Sequence, residues 1–213
     1  MAQGDDRRPL SSRDTGWARA IARRLSASGI APNQISMASM AMAAGAGAAF
    51  WLAGGAASGP RIALLLAAAL FCQLRLLCNL FDGMVAIEGG KQAADGPFWN
   101  EFPDRVADIL ILTGVGYGFG APALGWAAAG LAVLTAYTRE LGRNCGLPAD
   151  FSGPMAKQHR MATITAAALL SLLEPLWRGQ NEVLGIALWL IAAGAAVTAL
   201  RRAANIVRGL RAR

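Results

Sequence analysis

The amino-acid sequence predicts an all-α integral membrane protein, six transmembrane helices preceded by an N-terminal amphipathic interfacial helix. Three observations carry this expectation. Hydrophobic residues make up 55% of the 213 and charged residues only 15%, with a mean hydropathy of +0.40, too apolar for a water-soluble domain of this size. Six apolar runs approach the roughly 20 residues that a ~30 Å hydrocarbon layer demands. Lys and Arg outnumber Asp and Glu, 20 to 13, and they gather in the segments that would share one face of the bilayer.

Residues 1–33 form a basic leader and residues 34–213 a single membrane domain. In the leader, Trp17, Ala18, Ile21, Ala22 and Leu25 recur at helical spacing opposite Arg19, Arg23 and Arg24. A helix so divided suits the cytoplasmic interface, its arginines on anionic head groups; a solvated basic arm is the plainer reading. Pro32 is expected to break this helix and Asn33 to cap the first span. The spans run approximately Gln34–Leu52, Ile62–Leu80, Ala107–Gly120, Ala121–Tyr137, Ala162–Trp177 and Val183–Leu200. The third is short, and it reaches spanning length only if Phe98–Arg105 continues the same helix. The small-residue stretches around Gly45 and from Gly114 to Gly120 read as faces for close helix approach. A dinucleotide loop is a poor reading of those glycines, because no strand precedes them. The polar N-terminal stretch is too long for the n-region of a signal peptide, so the first span is expected to be retained.

Six Arg precede residue 25, Lys91 lies between the second and third spans, and five Arg follow residue 200. Arg139, Arg143, Lys157 and Arg160 flank the junction of the fourth and fifth spans, leaving Arg61 and Arg178 for the opposite face. This pattern predicts a multi-pass protein of a bacterial-type inner (cytoplasmic) membrane, with both termini and the charged loops on the cytoplasmic side. No aromatic-interleaved basic surface accompanies the charge, so nucleic acid is not an expected partner. Cys72, Cys78 and Cys145 form no C-x-x-C and His159 is the single histidine, which suggests neither a zinc site nor a disulfide framework.

Charged groups at bilayer depth cost roughly 2.5–3.5 kcal/mol each on insertion scales, so they are kept where they act. Arg75, Asn79 and Asp82, spaced by four and three, form one polar stripe at the inner end of the second span. Glu101, Asp104 and Asp108, spaced by three and four, form a matching stripe at the inner start of the third. Consecutive spans joined by a short loop are expected to be antiparallel neighbours, with the stripes facing at equal depth. Facing carboxylates in a low-dielectric site take up protons unless a cation intervenes. A hard divalent ion, Mg²⁺ or Mn²⁺, with oxygen ligands and substrate phosphates resolves the repulsion. Gly83, beside Asp82, leaves room for a bulky ligand at the backbone. Buried salt bridges alone, Arg75 with Asp82 and Arg105 with Glu101, are the purely structural alternative, and six polar groups on two stripes exceed it.

The stretch N-L-F-D-G-M-V-A followed by N-E-F-P-D-R-V-A-D resembles the signature of the CDP-alcohol phosphatidyltransferases, D-x2-D-G-x2-A-R, a spacer, then G-x3-D-x3-D. Asp82, Gly83, Ala86, Asp104 and Asp108 match in place. A-P-N-Q-I-S at Ala31–Ser36, Y-T-R-E-L at Tyr137–Leu141 and K-Q-H-R-M at Lys157–Met161 are similar to other segments of that family, in the same order. The resemblance implies a homodimeric six-helix membrane fold with the active site on the cytoplasmic side. It implies a metal-dependent enzyme of phospholipid biosynthesis. A substituted phosphate group, phosphatidyl above all, would pass from a CDP-linked lipid donor such as CDP-diacylglycerol to a small polar or phosphorylated alcohol acceptor, releasing CMP. On this reading Asn79, Asp82, Asp104, Asp108 and Glu101 hold metal, and Asp82, Gly83, Ala86 and Lys91 meet the donor. Asp108 is the general base, and Arg139, Arg143, Lys157 and Arg160 bind the acceptor's phosphate.

The chain departs from the signature at three places. Asn79 replaces the first aspartate, Ile87 replaces the arginine, and the spacer is longer, with Asn100 where a glycine is expected. An amide oxygen ligates Mg²⁺ without bringing charge, so Glu101 is the candidate replacement ligand and Lys91 the candidate substitute for the arginine. Two other classes remain open. A catalytically impaired CDP-lipid-binding protein, or a partner of an active homologue, is favoured by Asn79. A small transporter would place polar groups at mid-membrane in two related halves, whereas here they gather on one side.

Overall fold

The computed structural model describes residues 15–91, 93–177 and 179–213. Arg7, Arg8, Arg13 and Arg178 of the charge pattern lie outside the described residues. Among the described residues there are seven α-helices and no strand: α1 Gly16–Ala27, α2 Pro32–Gly54, α3 Ser58–Glu88, α4 Gly96–Phe119, α5 Pro122–Asn144, α6 Lys157–Leu170 and α7 Glu182–Arg211, with a 3₁₀ segment Ser171–Trp177 after α6. Helices α2, α3 and α7 are long and apolar enough to cross a membrane. Phe98–Arg105 does continue into the following apolar run, as part of α4.

The interior is built from small side chains and the exterior from large ones. Ala43, Ala46, Ala68, Ala128 and Ala132 lie in the core with Phe50, Leu65, Ile111 and Leu188, while Trp51, Leu70, Trp126, Trp189 and Leu200 stand on the outside. Lipid is as apolar as leucine, so nothing drives large side chains inward; close backbone approach does the holding. The chain is a membrane protein.

The two glycine-rich stretches pack on each other. A Cβ on Gly47 would overlap the Leu110 carbonyl, one on Gly114 the Gly47 backbone, one on Gly54 the Gly118 backbone, and one on Gly118 the Phe50 carbonyl. Rising numbers on α2 meet rising numbers on α4, so these helices run parallel in direct backbone contact. Helix α2 also packs extensively against α3. The expectation of α3 and α4 as close neighbours therefore needs correction. Both lean on α2, and their polar ends meet through long side chains across a gap. That gap becomes the site.

Helix α3 runs eight residues beyond the expected Leu80, which keeps Asp82 and Gly83 on the helix. The start of α2 also differs from expectation. Pro32 opens α2 instead of ending α1, Gly29 turns the chain at a φ of 81°, and the Ala31 amide donates to Gln34 Oε1 at 3.0 Å. Asn33 is not the cap; its Nδ2 donates to Asp95 Oδ2 at 3.0 Å. Proline suits the first helical turn because its missing N–H would be unpaired there. Helix α1 lays Ala18 and Ala22 on Leu80, Phe81, Met84 and Val85, with Trp17 edge-on to Phe81 at 6.2 Å.

At the opposite end a buried clasp joins α3, the 3₁₀ segment and α7. Glu174, wholly buried, accepts from Arg61, from the Asn181 amide at 2.9 Å and from the Val183 amide at 2.8 Å. The carboxylate thereby caps the N-terminus of α7, where the helix dipole favours negative charge. Gly114→Val should force α2 and α4 apart at a cost of about 1–3 kcal/mol. Thermal unfolding in detergent checks this, and an unchanged melting temperature would contradict the contact.

Candidate active site

A cavity of about 480 Å³ opens between the polar ends of α3 and α4, with α5, α6 and α7 behind it. Leu76, Leu77 and Leu80 supply an apolar wall; Asn79, Asp82, Gly83, Glu101 and Asp104 an oxygen-rich one; Arg105, Arg139, Arg143, Lys157, Arg160 and Arg202 a cationic one. Trp17 of α1 and Trp99 of α4 stand at its edge. Asp95 positions Trp99 by accepting from its Nε1 at 2.9 Å.

Asp104, only 5% exposed, is the centre of the polar network. Its Oδ1 accepts from Arg75 Nη2 at 2.8 Å and from Asn79 Nδ2. Its Oδ2 accepts from Lys157 Nζ, with Arg105 Nη2 at 3.7 Å. Arg75 is fully buried, so its charge depends on that carboxylate. Asn79 presents its amide nitrogen to Asp104 and accepts with Oδ1 from Ser39 Oγ at 2.9 Å. An aspartate at that position would put two carboxylates in contact.

Asp108, one turn further on, is fully buried and does not line the cavity. Its Oδ2 accepts from Arg160 Nη2 at 2.6 Å, and its Oδ1 has no hydrogen-bond partner among the described residues. Arg160 in turn donates to the Met155 carbonyl at 2.9 Å, which fixes the guanidinium between Asp108 and the cavity. Asp82 differs in having no cationic partner in ion-pair range among the described residues. Its Oδ2 accepts from Ser36 Oγ at 2.9 Å and its Oδ1 from the Gly83 amide at 2.6 Å.

Glu101 lines the cavity as expected, but it is taken up by two arginines, Arg105 at 3.1 Å and Arg139. Arg139 also pairs with Glu140 at 2.9 Å and lies over the Phe151 ring at 5.5 Å. Arg143 pairs with Glu140 at 3.3 Å. Lys91 and Ala86 are not among the lining residues; Lys91 Nζ donates to the Ser26 and Ile30 carbonyls at 2.8 and 3.2 Å, closing the end of α1. Lys91 therefore does not substitute for the missing arginine at the cavity. Among the described residues no three Asp, Glu, His or Cys side chains are grouped as they would be around one metal ion.

Sequence reasoning missed Ser36, Arg202 and the role of the 145–156 loop. Arg202 Nη1 donates to the Thr135 carbonyl at 2.7 Å and Nε to the Ser152 carbonyl at 3.0 Å. Asp150 ties the loop to α7 by accepting from Asn205 at 2.7 Å and from the Ser152 amide at 2.8 Å. Burial pushes the Asp150 carboxyl up, yet these hydrogen bonds outweigh it and hold the group below the usual carboxylate range. The available signals were the helical register of Arg202 on the last span and the N-cap-like Asp150-x-Ser152 spacing.

No protein-family model matches the chain. In sequence it is similar to a phosphatidylinositol phosphate synthase of Streptomyces avermitilis, 29% identical over 145 residues, covering 63% of this chain and 59% of that protein. The chain thus spans less than two thirds of the length of the curated relative it matches. In structure it is similar to the phosphatidylinositol phosphate synthase of Mycobacterium tuberculosis in complex with manganese and citrate, with a TM-score of 0.74 at 19% identity, covering 89% of this chain and 88% of that one. The same enzyme with CDP-DAG bound gives a TM-score of 0.73, covering 89% and 92%. The chain has the fold of a phosphatidylinositol phosphate synthase. The resemblance to the CDP-alcohol phosphatidyltransferases, carried in the sequence by Asp82, Gly83, Ala86, Asp104 and Asp108, stands.

The residues present fit a divalent ion in this synthase fold. Asp82 is a carboxylate at the cavity wall with no cation in ion-pair range among the described residues, its oxygens met only by the Ser36 hydroxyl and the Gly83 amide. A hard ion held by one or two carboxylates and substrate phosphates matches such a donor set. Arg160→Met should leave the Asp108 charge buried and unpaired, costing about 3–5 kcal/mol. A melting temperature in detergent unchanged from wild type would refute the pairing.

Proposed function

We propose that the protein is a metal-dependent phosphatidyltransferase that moves a phosphatidyl group from CDP-diacylglycerol to a phosphorylated alcohol and releases CMP. One observation carries the reading: a single cavity sets an uncompensated carboxylate and an apolar wall against a cluster of cations. The matched fold, solved elsewhere with manganese and with CDP-DAG, supports it.

In this account α2 to α7 span the membrane, α1 lies along the interface, and the cavity and both termini face the cytoplasm. The protein acts as a homodimer. The donor's acyl chains leave the cavity past Leu76, Leu77 and Leu80, so they need not cross water. Gly83, without a side chain, lets the nucleotide approach the α3 backbone. A divalent ion at Asp82, when bound, neutralises the donor diphosphate and the departing CMP. Arg105, Arg139 and Arg143 hold the acceptor's phosphate, already oriented by Glu101 and Glu140. The acceptor hydroxyl attacks the phosphatidyl phosphorus, the bond to the CMP oxygen breaks, and the hydroxyl proton leaves by way of water toward Asp108, the carboxylate behind Arg160. Arg160 orients Asp108 through Oδ2 and leaves Oδ1 without a protein partner among the described residues.

A second reading, a CDP-lipid-binding protein without turnover, is favoured by Asn79, whose oxygen is engaged by Ser39. One assay separates the two. Purified protein in nanodiscs is given radiolabelled CDP-diacylglycerol, Mn²⁺ and a panel of polyols and polyol phosphates, with CMP release as the readout. CMP should appear fastest with phosphorylated acceptors and fall about 10²–10⁴-fold in Asp108→Asn. Binding of the donor with no CMP above the Asp108→Asn control would establish the second reading instead.

A further inference from the structure

Asp104 sits at a signature position whose resemblance implies a metal ligand, yet both of its oxygens are occupied by the protein. Arg75 and Asn79 hold one, Lys157 and Arg105 the other. We propose that the Lys157 ammonium occupies on Asp104 the place of a divalent ion, so that this chain binds a single divalent cation, on Asp82. The inference rests on the metal-dependent reading above and narrows it.

The charges agree with this. With an aspartate at position 79, the two carboxylates meeting there would carry two negative charges and call for a doubly charged partner. With Asn79 the pair carries one, which the Arg75 guanidinium and the Lys157 ammonium together more than balance, so nothing there calls for a divalent ion. The amide also donates to Asp104 where a second carboxylate would repel it, and Ser39 holds the amide oxygen in the reverse direction. Asn79 and Lys157 are thus two halves of one substitution, reached from α3 and α6, 78 positions apart in the chain. Asp82 has no cation in ion-pair range among the described residues, and no group of three acidic side chains includes it. An ion there must complete its shell with phosphate oxygens and water, as Mg²⁺ and Mn²⁺ do when one or two carboxylates hold them. The ammonium still serves the donor. Fixed on Asp104 at the cavity wall, it meets a diphosphate oxygen as a point charge that needs no loading.

The test counts ions. Mn²⁺ is titrated into the detergent-solubilised full chain in the presence of CDP, with unbound Mn²⁺ read by electron paramagnetic resonance. Wild type should bind one Mn²⁺ per chain, and Asp82→Asn should bind none. Asn79→Asp alone should still bind one, because the ammonium remains. Asn79→Asp combined with Lys157→Met should bind two. Two ions on wild type, or two on Asn79→Asp alone, would overturn the inference while leaving the metal-dependent reading intact. No ion on wild type that still releases CMP would overturn both. The wild-type count decides even if the double variant fails to fold.

Discussion

One buried carboxylate organises the functional half of this protein. Asp104 of α4 draws Arg75 and Asn79 from α3 and Lys157 from the start of α6, so α4 is joined at a single group to two helices with which it shares little backbone contact. Removing Asp104 would leave the buried Arg75 charge stranded in a low-dielectric setting, where the cost is several kcal/mol. The arrangement is possible because the glycine faces of α2 and α4 lock those two helices together, leaving α3 and α4 separated at their polar ends. Tight packing on one side creates the space on the other.

The space is then divided by charge. Asp82 keeps an oxygen-rich wall without a built-in cation, and the opposite wall is rich in arginine held in place by Glu101 and Glu140. Arginine paired with a carboxylate at its rear is oriented as well as neutralised, so its remaining donors point where an anion would lie. An apolar flank formed by Leu76, Leu77 and Leu80 completes a pocket matched to a molecule with a lipid end and a phosphate-rich end. At the far end of the bundle the Arg61–Glu174 clasp does purely structural work, fastening α3 to α7.

The sequence displayed the acidic stripes because a helix repeats its faces every three or four residues, and Asn79, Asp82, Asp104 and Asp108 keep that period. It displayed the glycine faces for the same reason, and the α4 extension through Phe98–Arg105 followed from the length a membrane requires. The partners were illegible. Arg75 lies seven residues from Asp82 and 29 from Asp104, yet it chooses Asp104, because helix α2 sets the spacing between α3 and α4. Lys157 and Arg160 read equally well as topology signals, acceptor ligands or ion-pair partners, and only their three-dimensional placement assigns them to Asp104 and Asp108. Lys91 looked like a displaced active-site cation, but the carbonyls at the end of α1 claim it first. Pro32 was ambiguous because proline both ends helices and begins them.

The account stands or falls on the grip that Asp104 has on α3. A double-mutant cycle on Arg75→Met and Asp104→Asn, read by thermal unfolding of the full chain in detergent, measures it directly. The predicted result is a coupling above about 1 kcal/mol, as for side chains in one buried network. Strictly additive effects would mean that the two groups do not meet, and would contradict the joint on which the site is built.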